Sequence, residues 1–141
     1  MQIPIEDLRR ECERVRHAAH CVYEEKTIGH LSIAKFPRGW CVCLSRVLGA
    51  LLSRKYPSEK FYYICGEVVF DTGDWTSHAW IRYEDLILDI TADQFDEITE
   101  PVIIIPVSRS SFHAMFEITN EHIAERSVEH YDEECIPKST I

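Results

Sequence analysis

The segment HAWIRYEDLILDI, residues 78–90, restricts the fold more than any other. Two runs rich in aromatic and β-branched residues, 78–84 and 86–90, follow one another almost without a break. They are predicted as two strands joined by a tight turn, and therefore antiparallel. A turn at residues 84 and 85 sets the register, with Trp80 opposite Asp89 and His78 opposite Thr91. Alternate residues share a face of a strand. His78, Trp80 and Arg82 then look one way, and Asp89 joins them, diagonal to His78 at a typical backbone distance of ~7–8 Å. A slip of one residue would send Asp89 to the other face.

The rest of the chain supplies something for such a sheet to pack against. Residues 4–25 carry Ile5, Leu8, Cys12, Val15 and Ala19 at helical spacing, with Pro4 at the start and Glu6 and Asp7 in the first turn. Residues 26–39 read as irregular, punctuated by Gly29, Pro37 and Gly39. Residues 40–54 read as a second helix on Leu44, Val47, Leu48, Leu51 and Leu52, closed off by Pro57. FYYICGEVVF, residues 61–70, is a predicted strand, and DTGDWTS, residues 71–77, a loop. VIIIPV, residues 102–107, reads as an edge strand because of its prolines. A short turn or helix over 109–117 and a last helix over 120–130 complete the expectation, with a tail from about 131 that has little pattern. Helices followed by antiparallel strands predict an α+β fold, with helices on one face of the sheet. The 141 residues suit a single domain, 1–141, and no repeat or linker divides it.

Charge and composition narrow the function. Fifteen Lys and Arg against 24 Asp and Glu give a net charge of −9, which disfavours nucleic acid or an anionic membrane as a partner. No apolar run approaches the ~20 residues that span a bilayer. The charged start MQIPIEDLRRECERVR lacks a signal-peptide core, so a cytoplasmic location is expected, or export without a cleaved signal. Such a chain needs no disulfides, and its six cysteines include no C-x-x-C. No metal or other cofactor is expected.

Cys41 sits where a nucleophile is easily made. At the predicted start of a helix, unpaired N–H groups and the positive dipole end stabilise a thiolate, and the same N–H groups can bind an oxyanion. Gly39 removes bulk beside it. Helical phase puts Cys41 on the stripe of Leu44 and Leu48, and Cys43 on a more polar face with Arg46 and Ala50. A thiol facing the sheet can meet a base there, so Cys41 is the expected nucleophile, His78 its base and Asp89 the group that orients the imidazole. His30, in the loop before the helix, is the second choice of base. His17, His20, His113, His122 and His130 have no comparable setting.

These residues match a pattern. Gly39-Trp40-Cys41 opening an apolar helix, His78-Ala79-Trp80 on a strand and Asp89-Ile90-Thr91 ending the next strand resemble the transglutaminase-like branch of the papain-like superfamily. The longer string Asp89-Ile90-Thr91-Ala92-Asp93-Gln94-Phe95 is similar to small bacterial members. The resemblance covers roughly residues 36–95. It implies a central Cys-bearing helix on an antiparallel sheet, a Cys41–His78–Asp89 triad, and thioester chemistry on an amide, peptide or other acyl bond of a protein, peptide or small amide. Hydrolysis is the expected outcome, with amine cross-linking as the alternative. The chain lacks the calcium-loop pattern of larger relatives, and the upstream Gln of papain-type enzymes has no counterpart except the remote Gln2. Trp40, Gly39, Trp80 and Gln94 are the candidates for the substrate or oxyanion role. Two other classes remain open: a non-catalytic binding module on the same fold, and a metal-binding protein using Cys41, Cys43, Cys65 and His78.

Overall fold

A computed structural model of the chain describes residues 3–27 and 40–125. Helix α1 spans Ile5–Thr27 and helix α2 spans Cys41–Lys55. Five strands follow, β1 (Phe61–Val69), β2 (Trp75–Tyr83), β3 (Leu86–Asp89), β4 (Ile103–Pro106) and β5 (Glu117–Ile123), with a four-residue helix α3 (Ser111–Ala114) before the last. The sheet has the order β4-β3-β2-β1-β5, and every pairing is antiparallel. The architecture is α+β, as the element order predicts. The predicted features at Gly29, His30, Pro37 and Gly39, and the tail from 131, lie outside the described residues.

Both helices form where apolar spacing places them. Leu8, Cys12 and Ala19 of α1 are buried, and so are Cys41, Leu44, Leu48 and Leu52 of α2. They share one core with Phe61, Tyr63, Ala79, Ile81, Tyr83, Leu88 and Ile90 from the sheet. Two stripe residues depart from expectation: Ile5 is 51% exposed and Leu51 43% exposed. Ile5 begins α1, beyond most of what the helix covers. Leu51 faces outward, into a shallow groove between α1 and α2 that Val15 and Ala18 also line.

The sheet follows the predicted hairpin. Tyr83 pairs with Leu86 and Ile81 with Leu88, so Glu84 and Asp85 form the turn. Glu84 takes a positive φ of 51°, as a two-residue reversal of a right-twisted ribbon demands. Continuing that register sets Trp80 across from Asp89.

Three expectations need correction. Trp75, Thr76 and Ser77 belong to β2, not to a loop, because β1 runs to Val69 and pairs it with Trp75. The turn is thereby cut to residues 70–74, with Gly73 at φ 90°. Residues 117–123 are a strand where a helix over 120–130 was expected. Almost every residue of β5 is exposed, so no apolar period marks it, and the open edge of β1 decides its conformation. Finally, helices do not keep to one face. Phe112 of α3 packs with Ile64, Trp80, Ile87 and Phe116 on the face away from α1 and α2.

That second face depends on one glycine. Gly66 pairs with His78, and a Cβ there would meet the Phe116 Cβ at 2.9 Å and the Glu117 carbonyl at 3.0 Å. The absent side chain lets the chain entering β5 close over β1.

Candidate active site

Cys41 is the first residue of α2, and Trp40, the half-buried N-cap, accepts the Leu44 N–H through its carbonyl at 2.9 Å. Trp40 provides no side-chain cap and the first turn holds no acid, so neither screens the positive end of the helix from the sulfur. Burial of Cys41 pushes its thiol up. The hydrogen bond and positive charge of His78, the Gln94 side chain and the Ala79 backbone outweigh it and leave the thiol below its ordinary value.

The Ala79 contact has a topological cause. The β2–β3 ladder ends at Ile81↔Leu88, so His78 and Ala79 lie in a stretch of β2 that pairs with β1 alone. The side of β2 that β3 has left is open, and the sulfur of Cys41 comes to the Ala79 N–H there. At the same gap a thiol from the helix-covered face reaches an imidazole rooted on the other face.

His78 is fully buried. Its Nε2 lies 2.6 Å from Oδ2 of Asp89, and its Nδ1 lies 2.8 Å from Nε2 of Gln94. A carboxylate only accepts, so Nε2 of His78 donates, and in the neutral ring Nδ1 accepts the Gln94 amide N–H. Burial alone would lower the imidazolium. The charge and hydrogen bond of Asp89, helped by Cys41, reverse that and push His78 up to about 9. Phe95 meets the ring edge-on at 5.1 Å, and Trp80, Phe112 and Phe116 complete an aromatic enclosure at 5.7 to 6.0 Å.

Asp89 is buried too, on the face the hairpin register assigned to it. Burial raises its carboxyl, but the charge of His78 and the hydrogen bonds of His113 and His78 overcome this and hold it well below the usual carboxylate range. Oδ1 accepts the Thr91 N–H at 2.9 Å. Oδ2 accepts from His78 and also from Nε2 of His113, at 2.7 Å. His113 was set aside from the sequence for want of a strand setting. It sits instead on α3, 24 residues beyond Asp89 in sequence, and is buried. Ser110 at the start of a polar-to-aromatic run, SSFH, was the available signal, since it reads as an N-cap.

The remaining candidates divide. Gln94 ends a 3-10 turn, Ala92–Gln94, and its side chain reaches both His78 and Cys41. Trp80 is buried beside His78 and packs edge-on to His113 at 4.7 Å, on the far side of the sheet from α2. It is part of the enclosure around the His78 ring. Gly39 lies outside the described residues.

The loop carrying Asp89 and Gln94 is held by a residue that sequence reading passed over. Arg16 of α1 grips Asp93 with both guanidinium nitrogens, each at 2.7 Å, and donates to the Ile90 carbonyl at 2.8 Å and the Pro101 carbonyl at 3.1 Å. A planar fork matched to a carboxylate fixes both distance and orientation.

Among the described residues, the ligand-type atoms that converge are those of His78, Asp89 and His113, within 4.8 Å of one another. This is a different set from the Cys41, Cys43, Cys65 and His78 considered from sequence. Their short contacts, 2.6 and 2.7 Å, are those of shared hydrogens. No described helix is long and apolar enough to cross a membrane. Comparison with protein-family models, with curated proteins and with solved structures finds no match to this chain.

Proposed function

We propose that this chain is a thiol enzyme that attacks an amide, peptide or other acyl bond with Cys41, using His78 as base and Asp89 as its orienting acid, on a core of the papain-like, transglutaminase-like kind. One observation carries the reading. Groups from three elements come together, with Nε2 of His78 hydrogen-bonded to Asp89 at 2.6 Å and the His78 ring interacting with the Cys41 thiol.

The chemistry follows from that order. The Cys41 sulfur bonds to the acyl carbon as its proton passes to Nδ1 of His78. The carbonyl electrons move onto oxygen, where the Cys41 N–H at the start of α2 and the Gln94 amide are the donors within reach. Collapse expels the amine, which takes the proton from His78, and a thioester remains on Cys41. Water then attacks, His78 accepts its proton, and the acid and free thiol are released. An amine in place of water would give cross-linking. Acid–base catalysis of this kind is worth roughly 10²- to 10⁴-fold.

Limiting iodoacetamide followed by peptide mapping tests the reading. Cys41 is expected to be labelled first, and Cys41→Ala, but not Cys43→Ala, to abolish turnover of acyl substrates. Labelling of Cys43 or Cys65 ahead of Cys41 would refute the choice of nucleophile. A reactive Cys41 with no turnover across amide and ester substrates, with or without an added amine, would favour the binding-module alternative.

A further inference from the structure

His113 has every polar atom committed. Its Nε2 is on Asp89 at 2.7 Å, its Nδ1 lies 2.5 Å from the Ser110 hydroxyl, and its backbone N–H donates to the same hydroxyl oxygen at 3.2 Å. These contacts fix where the hydrogens are. Asp89 can only accept, so Nε2 of His113 carries a hydrogen. Ser110 already accepts the His113 N–H, which frees its own hydrogen for Nδ1. Ser110 thus locks the ring with its donor edge toward Asp89, in the way an outer partner fixes the tautomer of a metal-bound histidine.

We propose that His113 is a positioning residue of the thiol site, holding the Asp89 carboxylate through a hydrogen supplied at Nε2 so that the carboxylate holds His78 toward Cys41. The proposal rests on the thiol-enzyme reading above. With the Thr91 N–H on Oδ1, His113 makes a third donor to a carboxylate that is buried. Removing it leaves Asp89 two donors and a space beside its oxygen, and the carboxylate takes up a proton more readily. A protonated Asp89 no longer supports a charged His78. The groups facing this centre are Cys41 from α2, His78 from β2, His113 from α3, Cys12 from α1, which senses the Asp89 charge, and Tyr63 from β1, which senses Cys41.

The test is the rate of Cys41 alkylation by iodoacetamide from about pH 5 to about pH 9, with thermal melting of each variant alongside. His113→Ala is expected to slow alkylation at neutral pH roughly tenfold or more and to move the acid limb of the profile to higher pH, the usual scale for losing an outer partner being about 10- to 100-fold. His113→Gln, which keeps an N–H at similar reach, should restore the rate to within about threefold of wild type. A role in packing alone would leave the acid limb in place. The proposal is overturned if His113→Ala overlays the wild-type profile, or if His113→Gln is as slow as His113→Ala. Should His113→Ala fail to fold, Ser110→Ala decides: a limb displaced the same way by a smaller amount supports the proposal, and an unmoved limb ends it. Stoichiometric zinc on the purified protein, lost in His113→Gln, would make the three residues a metal centre and also end it. A wild-type Cys41 no faster than Cys43 would instead defeat the parent reading, so the two failures are distinct.

Discussion

Beneath α1 and α2 the sheet offers Phe61, Tyr63, Ala79, Ile81, Tyr83 and Leu88, whose contribution is apolar area and close packing. Its other face offers Ile64, Trp80, Ile87 and, in the same alternation, His78 and Asp89. The first face is covered by two long helices, the second by a four-residue helix, a 3-10 turn and the aromatic rings of Phe95, Phe112 and Phe116. The first is stabilised by area removed from water, which tolerates changes that conserve volume. The second encloses ionisable groups that are tolerable in the interior only while each hydrogen bond is made. One face stabilises the domain, and the other sets the chemistry of a single sulfur.

That division can be attacked from either side. The largest expected effect is on the polar face: Asp89→Asn keeps the shape but replaces an acceptor with a group that can also donate, toward two histidine N–H groups. Turnover is expected to fall by up to about 10⁴-fold, as when a triad carboxylate is neutralised. An unchanged rate removes Asp89 from the chemistry. Next is Leu48→Ala on the helix-covered face, where the side chain is wholly buried. It should lower stability by about 2–5 kcal/mol in urea titration and leave the Cys41 alkylation rate of the folded protein nearly unchanged. A large loss of thiol reactivity there would show that the faces are not separable.

The smallest effect is a slope. His78 is raised from 6.5 to about 9, so the stability it contributes is complete below pH 6.5 and is lost as pH rises through about 9. Cys41 is shifted down from 9.0, so its contribution grows as pH rises toward that value. The two oppose each other. Cys41→Ala removes the compensation and also part of what raises His78, so its stability is expected to decline more steeply than wild type just above pH 6.5, by at most about 1.4 kcal/mol per pH unit. Parallel stability curves would mean that Cys41 and His78 do not share a proton.

The same contrast explains what could be read from the residues beforehand. α2 was legible because Leu44, Leu48 and Leu52 repeat on a helical period, and the register of β2 on β3 because two residues are too few for any other turn. With the register came the shared face of His78 and Asp89. Gln94 was a candidate without a location, because a 3-10 turn leaves no periodic trace. β5 was missed because an exposed edge strand such as Glu117–Ile123 buries almost nothing and follows its neighbour's hydrogen bonds. His113 was missed for a related reason. Its partner is one buried oxygen on a strand 24 residues earlier, and nothing in a four-residue helix announces such a contact.

The grip of Arg16 on Asp93 and on the Ile90 and Pro101 carbonyls joins the first helix to chain made much later. During synthesis Cys41 emerges well before Asp89, Asp93 and Ser110. Until those residues leave the ribosome the thiol has no tuned imidazole and α1 has nothing to grasp. A nascent or truncated product that ends before Gln94 therefore lacks part of what lowers the Cys41 thiol, and the full lowering arises only with the finished domain.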